Sequence, residues 1–165
     1  AMPVVAAYPP FDLTDLARTA VAALAPLADA RSLRLRFDGT SDLPPLVVNA
    51  TMVRQILINL ISNALKFTPQ GGEVTIATGR QDGTSFVLVR DTGIGMAPDA
   101  VARAAAGAGT EDRQPPDDAV GQCRGHGIGL RIVQRLAAKI GATFEIESSP
   151  GTGTVARLRF APDRV

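Results

Sequence analysis

The sequence predicts an α/β two-layer sandwich, with one mixed, mostly antiparallel sheet and helices packed on one of its faces. Two observations carry that prediction. Apolar residues recur at helical spacing in three separate stretches, and β-rich runs joined by short Gly-containing turns stand between and after them. An order of helix, strand, helix, strands, long loop, helix, strands suits a single sheet covered by helices.

The first ten residues, "AMPVVAAYPP", read as an irregular lead-in closed by Pro9 and Pro10, and the opening Ala1-Met2 suggests a piece of a longer protein. From Asp12, the spacing of Leu13, Leu16, Ala20, Leu24 and Leu27 predicts the first helix. "LRLRF" at 33–37 alternates apolar and basic residues, as a half-buried strand does. The second helix carries Val53, Ile56, Leu57, Leu60, Ile61, Ala64 and Leu65 on its apolar side, with Asn49 or Thr51 as cap, and Thr68-Pro69 stops it. "EVTIATGR" and "TSFVLVRD", separated by "QDG", predict a hairpin. A short helix over 98–104 precedes about 22 residues, up to "VGQCRG", with almost nothing to bury; a loop that long in a compact domain is usually functional or disordered. Leu130, Val133, Leu136, Ala137 and Ile140 mark the last helix, closed by Gly141, and "TFEIES" and "TVARLRF" form a final hairpin across "SPGTG".

Composition removes several function classes. The 165 residues are 45% hydrophobic, enough for one domain with a sizeable core. A net charge of +1 argues against an extended nucleic-acid surface. Cys123 is the single cysteine, so no internal disulfide forms, and a reducing, cytoplasmic compartment fits. There is no apolar run of membrane-spanning length and no signal-peptide pattern, so no direct membrane contact is expected. His126 is the only histidine, which removes Cys/His zinc sites, and a Walker phosphate loop is absent. "GHGIGL" at 125–130 misses the dinucleotide fingerprint, because Leu130 stands where a third glycine belongs and no strand precedes it.

Three places could carry chemistry. In "RQILINLISNALKF", Asn59, Asn63 and Lys66 share one side of a helix among isoleucines and leucines. A carbonyl there could ligate Mg²⁺, which needs one or two protein oxygens when phosphates and water supply the rest; a solvated polar stripe has the same pattern. In "VLVRDTGIGMAPD", Asp91 ends a strand and could accept a hydrogen bond from an adenine amino group, with Gly93 and Gly95 letting a ring approach bare backbone. A simple Asp-Thr-Gly turn is the plainer alternative. "GHGIGL" opening a helix offers unpaired N–H groups to an anion, or serves as a hinge.

Taken in order, these segments resemble the ATP-binding catalytic domain of sensor histidine kinases, in the superfamily that includes gyrase and the mismatch-repair ATPases. "RQILINLISNALKFTPQGG" resembles the asparagine box, "DTGIGM" the first glycine box, "GHGIGL" the second and "GTGT" the third, and the likeness runs from about Phe11 to Phe160. The resemblance implies a Bergerat-type fold over 11–162 after a lead-in at 1–10, with an ATP lid at about 104–125. It implies ATP and Mg²⁺ as ligands. Asn63 would coordinate Mg²⁺, with Asn59 and Lys66 near the phosphates as the other catalytic residues. Asp91 would hold the adenine amino group above Gly93 and Gly95, supported by Thr154. Gly125, His126, Gly127, Ile128, Gly129 and Leu130 would line the phosphates.

Hydrolysing members of that superfamily place a glutamate one turn before the Mg²⁺ asparagine. Here Asn59 occupies that position and cannot act as a general base, so the resemblance implies phosphoryl transfer to a histidine on a separate phosphoacceptor domain, and from there to a response regulator. The chain departs from the pattern in three places: "RAAAGAGTEDRQ" at 103–114 lacks the lid phenylalanine, Asn49-Ala50 stand where Gly-Asp is common, and His126 replaces a small hydroxyl residue. No phosphoacceptor hairpin is present in 1–10, so the chain alone is not expected to phosphorylate itself. A degenerate nucleotide- or partner-binding module and an anti-sigma-type serine kinase are the alternatives.

Overall fold

A computed structural model describes residues 8–96, 100 and 122–162, with 122–129 as helical backbone. Its elements are α1 (Leu13–Ala30), β1 (Arg34–Asp38), α2 (Ala50–Phe67), β2 (Glu73–Gln81), β3 (Thr84–Asp91), α3 (Gln122–Lys139), β4 (Ala142–Ser149) and β5 (Gly153–Phe160). The expected lead-in is described only from Tyr8. The expected 98–104 helix lies outside the described residues except for Ala100, and so does the lid up to residue 121.

Local chemistry sets the boundaries. The Asp12 carboxylate accepts from the Asp15 N–H at 3.1 Å and caps α1. Asn49, one of the two expected caps, accepts from the Met52 N–H at 3.2 Å and starts α2. Asp82 and Gly83 both have positive φ (54° and 78°), the geometry of a two-residue I′ turn, which joins β2 to β3. Gly141, with φ 70°, ends α3.

The sheet order is β1-β2-β3-β5-β4, with β1 and β2 parallel and the other pairs antiparallel. A parallel β1–β2 pair needs a crossover, and α2 supplies it. Apolar residues that alternate along the strands, Val74 and Ile76 on β2, Val87 and Val89 on β3, Ala156, Leu158 and Phe160 on β5, form the buried sheet face. All seven apolar residues expected on α2 are buried, and so are the five expected on the last helix, of which Ile140 lies just past the end of α3. On α1, Leu13 and Ala20 are buried with Ala17 and Ala28, while Leu16, Leu24 and Leu27 pack at the margin. Small alanines let α1 lie close to its neighbours, which explains why its core stripe is narrower than its leucines suggest. Among the described residues no helix is long and apolar enough to cross a membrane.

Candidate functional site

The register of β3, β5 and β4 builds one end of the site. Asp91 pairs with Thr154, and Thr154 in turn pairs with Ser148, so three polar side chains stand side by side at one end of the sheet. Above them, α2 passes with Asn63. The result is an open-mouthed cleft lined by Leu60, Asn63, Ala64, Val89, Asp91, Leu130, Ile146, Thr154 and Ala156. Apolar walls with a few convergent polar groups are the usual form of a small-ligand site.

Each polar group has a defined state. Asp91 Oδ1 accepts from the Gly93 N–H at 2.8 Å. Burial raises the Asp91 carboxyl above its ordinary 3.8, while N–H groups of Gly93 and Thr154 pull the other way. Asn63 Nδ2 is buried without a hydrogen-bond partner. A buried amide with nothing to bond is costly, so an unpaired Asn63 facing a cavity points to a ligand that completes it. Turning that amide presents its oxygen instead, and one carbonyl oxygen fits what Mg²⁺ takes from a protein beside phosphate and water. Among the described residues no group of three or more His, Cys, Asp or Glu is placed to hold a metal by itself.

The "DTGIGM" loop is fastened at both ends. The Thr92 N–H donates to the Glu73 carbonyl at 3.1 Å and the Glu73 N–H to Thr92 Oγ1 at 3.0 Å. Further along, the Gly151 N–H donates to the Ile94 carbonyl at 2.7 Å, and the Met96 N–H to Ser148 Oγ at 2.8 Å. The glycines answer to this packing. A Cβ on Gly93 would lie 2.6 Å from the Phe67 carbonyl oxygen and 2.7 Å from the Asp91 carboxylate; one on Gly95, where φ is +72°, would fall inside the Ser149 carbonyl. Sequence reasoning assigned the room at Gly93 and Gly95 to a bound ring. The missing side chains point at the protein's own backbone, and close chain packing is what requires glycine at both.

The other expected residues divide. Asn59 is half-buried one turn before Asn63 and is not part of the cavity wall; Lys66 is exposed, with its ammonium 5.5 Å from the Phe67 ring. Leu130 is buried and lines the cavity. Gly125, His126, Gly127, Ile128 and Gly129 lie within the first two turns of α3, which begins at Gln122, earlier than "GHGIGL" suggests. Only the first four N–H groups of a helix lack an internal acceptor, so Gly127 and Gly129 spend theirs inside the helix. Three glycines in two turns make that helix start weak, each about 1 kcal/mol less favourable than alanine. Sequence reasoning missed Ser148; the visible signal is a hydroxyl at an inward position of β4, two residues beyond Ile146, where the pattern calls for an apolar residue.

Known proteins share this sequence pattern and this fold. Residues 48–164 match the family described as histidine kinase-, DNA gyrase B- and HSP90-like ATPase. The chain is 34% identical over 158 residues to the cell-division control histidine kinase PdhS of Brucella canis, and equally to that of Brucella suis, covering 93% of this chain and 15% of those proteins. It therefore spans less than a sixth of the length of these relatives. Full-length ShkA, solved in complex with AMPPNP, is 31% identical with a TM-score of 0.76, over 98% of this chain and 32% of that one. The nucleotide-free catalytic domain of histidine kinase ThkA shares the fold at a TM-score of 0.77 and 17% identity, over 96% of this chain and 99% of that one.

Proposed function

From its membership of the histidine kinase-, DNA gyrase B- and HSP90-like ATPase family, we propose that this chain is the ATP-binding catalytic module of a cytoplasmic two-component sensor histidine kinase. It binds Mg-ATP and delivers the γ-phosphate to a histidine on a phosphoacceptor domain of the same parent protein, which then supplies a response regulator. The observation that carries the proposal is the convergence of Asp91, Thr154 and the unpaired Asn63 amide on one apolar-walled cavity.

Asp91 accepts the adenine amino group through its remaining lone pairs, because Gly93 and Thr154 N–H groups occupy only part of its capacity. Val89, Ile146, Ala156 and Leu130 exclude water from the ring faces. Asn63 would hold Mg²⁺, which when bound neutralises phosphate charge. Lys66, exposed at the last turn of α2, offers a cation to phosphates beyond the cavity mouth. The phosphates would be received by N–H groups of Gly125, His126, Gly127, Ile128 and Gly129 once the weak start of α3 opens. No described carboxylate lines the cavity besides Asp91, which is committed to adenine, and Asn59 cannot take a proton from water. That residue set favours transfer over hydrolysis.

The test is to mix the chain with the separately produced phosphoacceptor domain of its parent protein and γ-labelled ATP. Label appearing on that domain's histidine, and absent with Asp91→Asn, supports the proposal. Nucleotide binding without transfer would favour a degenerate module instead.

A further inference from the structure

Ser148 is tied to the site through three hydrogen bonds, and their polarity has a chemical consequence. A serine hydroxyl holds one proton and two lone pairs. Its Oγ lies 2.9 Å from the Gly153 carbonyl oxygen, which can only accept, so the Ser148 proton is spent there. The Met96 N–H, which can only donate, takes one lone pair at 2.8 Å. The third partner is Thr154 Oγ1 at 2.7 Å. With the serine proton already committed, this contact forms only if Thr154 donates. Thr154 then has no proton left for the cavity that it lines beside Asp91.

We infer that Ser148 is a specificity-setting positioning residue: by absorbing the Thr154 proton it turns an ambivalent hydroxyl into an acceptor, so that Thr154 and Asp91 both offer acceptors to the group at position 6 of a purine and favour an amino group there over a carbonyl. A threonine free to rotate its hydroxyl would donate equally well to a 6-carbonyl. Ser148 touches no ligand itself; its effect passes through Thr154. The same bonds fasten Met96 and the β4–β5 turn, so a purely structural role would alter affinity for every nucleotide alike.

The inference rests on the nucleotide-site reading above, and the experiment separates the two. Calorimetric titration of the full chain with ADP and with inosine diphosphate, whose base differs by a 6-carbonyl and an N1 proton, gives a preference ratio. The wild-type chain favours ADP. Ser148→Ala reduces the ratio by about tenfold, the value of one hydrogen bond of about 1.4 kcal/mol changing sign. Ser148→Cys, close in size and a weaker acceptor, reduces it in the same direction and stands in if the alanine variant does not fold. In a Thr154→Val background, where there is no hydroxyl to orient, Ser148→Ala leaves the ratio unchanged. Equal weakening of both nucleotides, or a ratio that still falls in the Thr154→Val background, overturns the inference while the nucleotide site stands. A wild-type chain that binds neither nucleotide overturns both.

Discussion

Replacing Gly95 by alanine tests whether the first glycine box is required by chain packing. Two costs arise. Gly95 has φ +72°, a left-handed conformation that costs an L-residue roughly 1–2 kcal/mol. The new methyl would also fall inside the Ser149 carbonyl, so the β4–β5 turn must retreat. That movement stretches the bonds from Gly151 N–H to Ile94 and from Met96 N–H to Ser148, each worth about 0.5–1.5 kcal/mol. The sum is about 2–5 kcal/mol. Gly151 is the matched control: its φ is +80°, yet a Cβ there meets nothing within 4 Å, so Gly151→Ala carries the backbone cost alone, about 1–2 kcal/mol. At about 2–4 °C per kcal/mol for a chain of this size, Gly95→Ala lowers Tm by on the order of 10 °C and Gly151→Ala by about half that or less. Differential scanning calorimetry of both variants reads the gap. Equal losses would refute the packing explanation and return the glycine requirement to its backbone conformation.

Three further outcomes follow from the same site. Asp91→Asn weakens ADP binding by about 10–100-fold, the loss of a charge-assisted hydrogen bond, and the unliganded variant is at least as stable as wild type at neutral pH. The sign follows from the raised Asp91 carboxyl: the folded state holds that proton more tightly than the unfolded chain, so its stabilising contribution is full below 3.8 and is lost as pH rises through the raised value. The stability advantage of the variant should therefore vanish as pH falls to 3.8, which thermal melts across pH would show. For Asn63→Ala, the ADP affinity in Mg²⁺ should drop to the value in excess chelator, read by titration in both buffers; a variant as Mg²⁺-sensitive as wild type removes Asn63 as the ligand. Gly127→Ala should raise the unliganded Tm by about 2–4 °C, the helical gain of about 1 kcal/mol, and lower ATP affinity, because a firmer helix yields its N–H groups less readily.

Most of the scaffold was legible because burial and period agree. The apolar residues at three- and four-residue spacing on α2 and α3 are buried without exception, and Asn49, Asp82-Gly83 and Gly141 act as the turn and cap chemistry demands. That Asp91, Thr154, Asn63 and Leu130 line one cavity was foreshadowed by their motifs, each a short string, whereas their roles toward a nucleotide belong to the proposal above. Ser148 was not legible. Its significance lies in a cross-strand register and in the direction of one proton, and neither is written in local sequence. The packing duty of Gly95 was hidden for the same reason: its obstacle, the Ser149 carbonyl, is more than fifty residues away along the chain. The start of α3 departs from expectation because glycine weakens a helix without forbidding it, so the "GHGIGL" backbone can close on itself.

The central claim is that Asp91, Thr154 and Asn63 form one Mg²⁺-dependent adenine-nucleotide site. Calorimetric titration of the chain with ADP, with and without Mg²⁺, tests it most directly. The account predicts saturable binding at one site, tighter with Mg²⁺ and weakened about 10–100-fold in Asp91→Asn. Absence of heat at millimolar nucleotide, or binding that Asp91→Asn leaves unchanged, would contradict it.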